Sequence, residues 1–123
     1  MKQAILALGV MTGNSLDGVD TVISRFSGDG KIQDASHFSL PFPAELATDL
    51  RSFREHLRLA NGNIDAAEEG LSIATNNPHA LQEIHDRYAH LIATACREAI
   101  EDARAHGRIG HTETIDVVGI HGQ

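Results

Sequence analysis

The sequence holds a single cysteine, Cys96, and no tryptophan. One thiol cannot form a disulfide within the chain, which is typical of proteins from a reducing compartment, so we expect a cytoplasmic location. Basic residues are also scarce, because 10 Lys and Arg stand against 17 Asp and Glu and give a formal net charge of -7. A surface of that sign repels phosphate backbones and anionic lipids, and we therefore expect neither a nucleic acid nor a membrane as partner.

A long hydrophobic run is missing as well. The longest apolar stretch, Ala4–Met11, is far shorter than the roughly 20 residues that cross a bilayer. It resembles the core of a secretory signal, but the following Thr12–Ser15 lacks the A-x-A pattern of a cleavage site. The 123 residues are 41% hydrophobic and 22% charged, which predicts one folded domain over 1–123 rather than a disordered chain.

The first third of the chain has the pattern of three strands. Ala4–Met11 is apolar on both alternating faces, which predicts a central strand that is covered on both sides. Val19–Phe26 is rich in β-branched residues, and Ile32–Leu40 follows after the turn signal Gly28–Gly30. The short connections predict an antiparallel meander.

Helical spacing begins after Pro43, where apolar residues recur three and four positions apart and predict a first helix; they are Leu46, Leu50, Phe53 and Leu57. A short helix is predicted over 64–74. A long helix is predicted to begin with Asn77 as N-cap and Pro78 as first helical residue, and to end at Gly107 after an apolar stripe that reaches about Ala105. A last strand is predicted over 114–123. Ligand-binding loops follow the carboxyl ends of such strands, and this sequence stops inside such a loop. We therefore expect the chain to be the N-terminal part of a longer protein.

The loop between the first two strands carries the first candidate site, the segment from Gly13 to Asp20. Glycines let backbone N–H groups approach an anion, Ser15 offers a hydroxyl, and Asp17 and Asp20 are candidate Mg²⁺ ligands. A plain polar hairpin turn would have the same composition, so both interpretations stay open. A Walker A loop is excluded because Val19 and Asp20 follow Gly18 where Lys and Ser or Thr are required, and no glutamate closes an EF-hand loop.

A second candidate site lies at the end of the last predicted strand. His121, Gly122 and Gln123 supply donors and acceptors that suit a polar ligand such as a sugar, although a solvated loop with a chance histidine is an alternative. His85 and His90 are not spaced as a helical zinc pair. Cys96 is predicted to be a buried small hydrophobe.

Together the two segments resemble a known family. The run from Met11 to Asp20 is similar to the M-S-G-T-S-L-D-G-V-D signature of the anhydro-N-acetylmuramic acid kinases, and Gly119–Gln123 resembles their H-G-Q-T strand end. The resemblance covers the whole chain, which would be about the first third of such an enzyme. It implies an α/β fold, namely the N-terminal lobe of the two-lobed actin-like ATPase (ribonuclease H-like) fold, with a mixed sheet of three antiparallel strands followed by helices and parallel strands.

The resemblance also implies a function. The complete enzyme would use ATP and Mg²⁺ to phosphorylate 1,6-anhydro-N-acetylmuramic acid with hydrolytic opening of the anhydro bridge, giving N-acetylmuramic acid 6-phosphate for cell-wall recycling. The resemblance is also compatible with a homodimer of the complete enzyme. The matching ATP-phosphate residues are Gly13, Asn14, Ser15, Leu16, Asp17, Gly18, Val19 and Asp20, and the matching substrate residues are His121, Gly122 and Gln123.

This sequence departs from the family pattern at two positions and lacks one segment. Thr12 stands for a serine and Asn14 for a threonine. The family's catalytic base lies in a D-T-G-P-G-N segment of the second lobe, and no such segment occurs here, so the 123 residues are predicted to be inactive alone. The alternatives are a non-catalytic nucleotide-binding module of the same superfamily and a plain α/β interaction domain.

Overall fold

The computed structural model describes residues 4–13 and 15–121. Its strands and helices follow one another as β1 (Ala4–Thr12), β2 (Gly18–Ser27), β3 (Ile32–Pro41), α1 (Ala44–Leu59), α2 (Ile64–Thr75), α3 (Ala80–Ala105) and β4 (Val117–His121). The described residues fall into two compact units, one drawn from Met1–Pro41 with Ile92–Gln123 and the other from Phe42–Leu91.

A four-stranded mixed sheet in the order β3-β2-β1-β4 forms the centre of the first unit. The pairs β1–β2 and β2–β3 are antiparallel, and β4 runs parallel to β1. The predicted meander followed by helices and a parallel strand is therefore confirmed. Because β1 and β4 are parallel, their carboxyl ends lie at the same edge of the sheet as the start of β2.

One face of this sheet is buried and the other is open. In β1, Leu6, Leu8 and Val10 are buried, whereas Ile5 and Met11 on the opposite face are 50% and 56% exposed. The expectation that β1 is covered on both sides is thus wrong for the described residues. Side chains alternate between the faces of a strand, and no described residues cover the second face of this one.

The second unit is helical. Asn63 caps α2, because its side chain accepts a hydrogen bond from the Ala66 N–H at 3.0 Å. The ring centroids of Phe42 and Tyr88 lie 6.4 Å apart, and the Arg87 guanidinium forms an ion pair with Asp49. These contacts tie the start of α1 to the first half of α3.

The long helix begins later than the sequence predicts. Asn77 Oδ1 accepts a hydrogen bond from the His79 N–H at 2.9 Å, and its amide donates to Glu83 at 2.9 Å. The resulting turn contains Pro78, so α3 begins at Ala80. Asn77 does organise the start of the helix, but through an Asx turn that places Pro78 outside it.

Strand β4 is shorter than predicted, since it begins at Val117 rather than Thr114. Asp116, the residue before it, holds Leu6 of β1 at two points: its carboxylate accepts from the Leu6 N–H at 2.9 Å, and its own N–H donates to the Leu6 carbonyl at 2.8 Å. The Asp116 side chain thus accepts the Leu6 N–H in place of a backbone carbonyl of β4. The regular pairing of β4 with β1 begins one residue later, at Val117 opposite Ala7.

The connection from α3 to β4 is also fixed to β2. Arg25 donates two hydrogen bonds to the Glu113 carboxylate, at 2.6 and 3.3 Å, and Arg104 donates to the Glu113 carbonyl at 2.9 Å. The hydrogen bond and charge of Glu113 raise the pKa of the Arg25 guanidinium above its ordinary value, so Arg25 stays charged. Glu113 thus joins the connection to β2 through Arg25 and to α3 through Arg104.

Candidate functional site

The hairpin between β1 and β2 protrudes at the edge of the sheet where β4 ends. The Leu16 N–H donates to the Gly13 carbonyl at 3.2 Å and closes a turn. The side chains of Ser15 and Asp17 are exposed, whereas Leu16 between them is buried. Ser15 and Asp17 of the predicted phosphate segment thus face outward, and the apolar residue between them does not.

The two glycines of this segment differ in their surroundings. Neither has a left-handed φ angle, so neither is required by the conformation of the turn. Among the described residues beyond its chain neighbours, a Cβ at Gly13 would have only Ser15 Oγ nearby, at 3.9 Å, whereas a Cβ at Gly18 would lie 3.2 Å from the Leu40 carbonyl oxygen. Gly13 therefore leaves free space at the surface of the hairpin, and Gly18 permits β2 to pack closely on β3.

The predicted phosphate segment includes Leu16 and Val19, and both side chains are buried. Only their backbone groups can face a ligand. Asn14 belongs to the same segment and lies outside the described residues.

The two aspartates occupy different positions. Asp17 is an exposed residue of the loop, and Asp20 lies on β2 opposite Met11 of β1. One oxygen of the Asp20 carboxylate accepts a hydrogen bond from Ser39 Oγ at 2.6 Å. Across residues 4–13 and 15–121, no group of three or more His, Cys, Asp or Glu side chains is arranged to hold a metal ion.

His121 ends β4 directly opposite Met11 and is exposed. It lines a depression of about 630 Å³ on the open face of the sheet, together with Asp20 of the first segment. Gly9 and Gly119, which are register partners on β1 and β4, form a floor without side chains. The structure thus brings one residue of each predicted segment to a single depression. Gly122 and Gln123 lie outside the described residues.

The same depression contains two residues that the sequence did not single out, Asp34 and His37. His37 Nε2 lies 3.6 Å from Asp34 Oδ2, and Ser24 Oγ donates to Asp34 at 2.8 Å. Strand alternation would place positions 34 and 37 on opposite faces. An irregularity in the pairing of β2 with β3, next to Ile23 and Ser24, puts both on the open face. A bulge of this kind has no signal in the local sequence.

Cys96 lies on α3 and is half-buried with a free thiol. Burial raises the pKa of the Cys96 thiol above its ordinary value, which keeps the thiol protonated at neutral pH. This agrees with a packing role rather than a nucleophilic one.

With these features in place, the chain can be compared with known proteins. The model of the anhydro-N-acetylmuramic acid kinase family matches residues 5–123, which is nearly the entire chain and includes both segments. The chain belongs to this family. The mixed sheet and its helices accordingly correspond to the N-terminal lobe of the actin-like ATPase fold, as the sequence predicts.

Curated relatives agree with the family assignment. An anhydro-N-acetylmuramic acid kinase of Methylorubrum extorquens is 34% identical over all of this chain and 30% of its own length. Proteins of the same name from Methylorubrum populi and Rhizorhabdus wittichii are each 32% identical, over 100% and 97% of this chain and over 30% and 28% of their own lengths. The chain therefore spans less than a third of the relatives it matches. Among its described residues, no helix has the length and apolar character that a membrane span requires.

Proposed function

We propose that this chain forms the N-terminal lobe of a cytoplasmic, ATP-dependent kinase that phosphorylates 1,6-anhydro-N-acetylmuramic acid. In the proposed reaction, water opens the anhydro bridge, and the sugar oxygen that is released takes the γ-phosphoryl group of ATP. The products are ADP and N-acetylmuramic acid 6-phosphate, which would return cell-wall sugar to metabolism. The observation that supports this most directly is the meeting of the hairpin and the end of β4 at one sheet edge, in a chain of this family.

The hairpin is the proposed phosphate side. Its exposed Ser15 hydroxyl, the backbone N–H groups of the turn and the free space at Gly13 suit the close approach of an anion. In phosphoryl transfer, enzymes act mainly by positioning the phosphates and compensating their charge. A turn that faces outward at the edge of a rigid sheet fits this requirement.

Asp17 and Asp20 would hold Mg²⁺, directly or through water. Mg²⁺ in nucleotide sites is bound by one or two carboxylates together with substrate phosphates and several waters, so a pair of exposed carboxylates fits the ion. Ser39 occupies one oxygen of Asp20, which leaves its second oxygen for a water of the ion. The ion would neutralise charge on the transferred phosphoryl group.

His121 is the proposed contact to the sugar, with Gly122 and Gln123 beside it. The carboxyl end of a parallel strand is where α/β proteins bind their ligands, and polar side chains there can fix a hydroxylated substrate. The general base is not proposed to come from this chain, because the family's D-T-G-P-G-N segment is absent from its sequence. The second lobe would supply it.

The test uses the complete protein that the gene encodes. The sequence after Gln123 is read first, and we expect a threonine followed further on by a D-T-G-P-G-N-like segment. The purified protein is then incubated with ATP, Mg²⁺ and the anhydro sugar, and the product is identified by mass spectrometry. Formation of the sugar 6-phosphate supports the proposal, whereas nucleotide binding without any sugar phosphate would identify a non-catalytic nucleotide-binding module instead.

A further inference from the structure

The backbone of Leu16 is left-handed, with a φ angle of 56°. Three described residues other than glycine have positive φ, and the other two are asparagines, Asn61 and Asn76. Asparagine tolerates this region because its side chain can hydrogen-bond locally, whereas leucine has no such compensation. A leucine in this conformation must therefore be held there by its surroundings.

The Leu16 side chain is buried within a polar loop. Leu16 is 3% exposed, although Ser15 and Asp17 on either side are exposed. The strand residues that flank the hairpin, Thr12 and Val19, are register partners and are both buried. The loop thus carries one buried apolar side chain next to a pair of buried strand residues, which favours an anchoring role for Leu16.

The left-handed turn also determines which way the loop presents its polar groups. A left-handed residue within a tight turn directs successive N–H groups to one side, the arrangement of backbone nests that bind anions. With Leu16 directed into the core and its N–H on the Gly13 carbonyl, Ser15 and Asp17 are directed outward. The burial of Leu16 and the exposure of Ser15 and Asp17 both follow from this one turn.

We infer that Leu16 is a positioning residue for the nucleotide phosphates: its buried side chain holds the left-handed turn that presents the hairpin to them. This inference rests on the proposed function of the hairpin. Leu16 touches no phosphate itself, so its role is distinct from that of Ser15 or Asp17. A residue that merely filled the core would affect stability and leave nucleotide binding unchanged.

The experiment compares three variants of the complete protein. Leu16→Ala removes the anchor, Leu16→Val keeps an apolar side chain but opposes the left-handed φ, and Leu16→Met keeps both size and flexibility. Leu71→Ala, at a buried leucine of α2 in the second unit, is the control for loss of core volume. Melting temperature, kcat, and KM for ATP and for the sugar are measured for each, and ATP binding is titrated without sugar.

We expect Leu16→Ala and Leu16→Val to raise the KM for ATP about tenfold while the KM for the sugar stays within about twofold. Leu71→Ala should leave both constants close to those of the parent protein, and Leu16→Met should restore most of the ATP binding that Leu16→Ala loses. If Leu16→Ala and Leu71→Ala lower the melting temperature alike and neither changes ATP binding, the inference is overturned and Leu16 is a core residue only.

The direct titration separates the two proposals. A parent protein that binds ATP but does not phosphorylate the sugar would contradict the proposed function, while weaker ATP binding by Leu16→Ala would still support the role of Leu16. A parent protein that binds no ATP would overturn both.

Discussion

At the scale of single residues, Gly13 offers a direct test of the proposed phosphate site. Within the described part of the chain and apart from its chain neighbours, a Cβ there meets Ser15 Oγ at 3.9 Å and nothing closer, and φ is not left-handed. Gly13→Ala should therefore change the free energy of unfolding by no more than about 0.5 kcal/mol. If ATP approaches the backbone at this point, the added methyl group will raise the KM for ATP well above its parental value without a matching rise for the sugar. Titration of both substrates checks this, and equal changes in the two constants would contradict a phosphate role.

Gly18→Ala is the matched comparison. Its Cβ would lie 3.2 Å from the Leu40 carbonyl oxygen, so part of its effect must come from the packing of β2 on β3. Gly18→Ala should therefore lower the melting temperature, and Gly13→Ala should not.

Asp17 is expected to act through charge rather than through folding. It is exposed in the loop, so Asp17→Asn should leave the free energy of unfolding within about 0.5 kcal/mol while lowering the rate of phosphorylation. If the carboxylate helps to hold Mg²⁺, the variant will also need more Mg²⁺ to reach half of its maximal rate. A Mg²⁺ titration of the rate, with melting curves on the same samples, tests this; lost stability with normal activity would identify Asp17 as a turn residue.

His121 lines the open depression at the end of β4, where a sugar contact is proposed. Loss of a hydrogen bond to a neutral group costs about 0.5–1.5 kcal/mol, and more where a buried partner is left unpaired, so His121→Ala should lower kcat/KM for the sugar about threefold to a hundredfold. The KM for ATP should change little. Steady-state kinetics in both substrates together with melting would show whether His121 instead only stabilises the strand end, since sugar kinetics would then stay normal.

Which residues sequence reasoning could find depends on how local their signal is. Gly13, Asp17 and His121 stand in short motifs, and the structure brings the segments that contain them to one sheet edge. Asp34 and His37 share the open face only because the pairing of β2 with β3 is irregular. That irregularity depends on tertiary packing, so no pattern in the sequence could indicate it.

At the scale of elements, β4 depends on one side chain that precedes it. Leu6 is buried, and its N–H donates to the Asp116 carboxylate at 2.9 Å. Asp116→Ala would leave that donor unpaired, which costs about 1–3 kcal/mol, whereas Asp116→Asn keeps a side-chain oxygen and should cost less. Chemical denaturation of the three proteins measures the difference. Equal stability of the alanine variant and the parent would mean that water replaces the carboxylate.

The strands and helices, like the site residues, could be predicted where their signal is local and not where it depends on tertiary contacts. An apolar run and β-branched residues indicate the first two strands, and helical spacing of apolar residues indicates α1 and α3, because these patterns reflect the local backbone. The sequence placed the start of α3 at Pro78 and that of β4 at Thr114, and both begin later because Asn77 and Asp116 make side-chain hydrogen bonds that replace regular backbone structure. Propensity alone does not distinguish such a bond from an ordinary cap or strand residue.

At the scale of the whole molecule, the proposed reaction needs more groups than this chain supplies. Asp20 and His121 line the depression on the open sheet face, while the D-T-G-P-G-N segment, to which the resemblance assigns the base, does not occur in the 123 residues. The curated relatives are more than three times as long as the part that this chain matches. Phosphoryl transfer requires the nucleophile, its base and the phosphates to be held together in line.

The purified 123-residue chain should therefore produce no sugar phosphate from ATP and the anhydro sugar, even at high protein concentration. Host kinases are the main source of a false signal, so the Asp17→Asn variant of the same chain is purified and assayed in parallel. Sugar phosphate formed by the parent chain and not by the variant would mean that the first lobe carries its own base. Addition of a separately produced second lobe should restore activity, because the proposed function requires groups from both lobes to meet at the edge where β1 and β4 end.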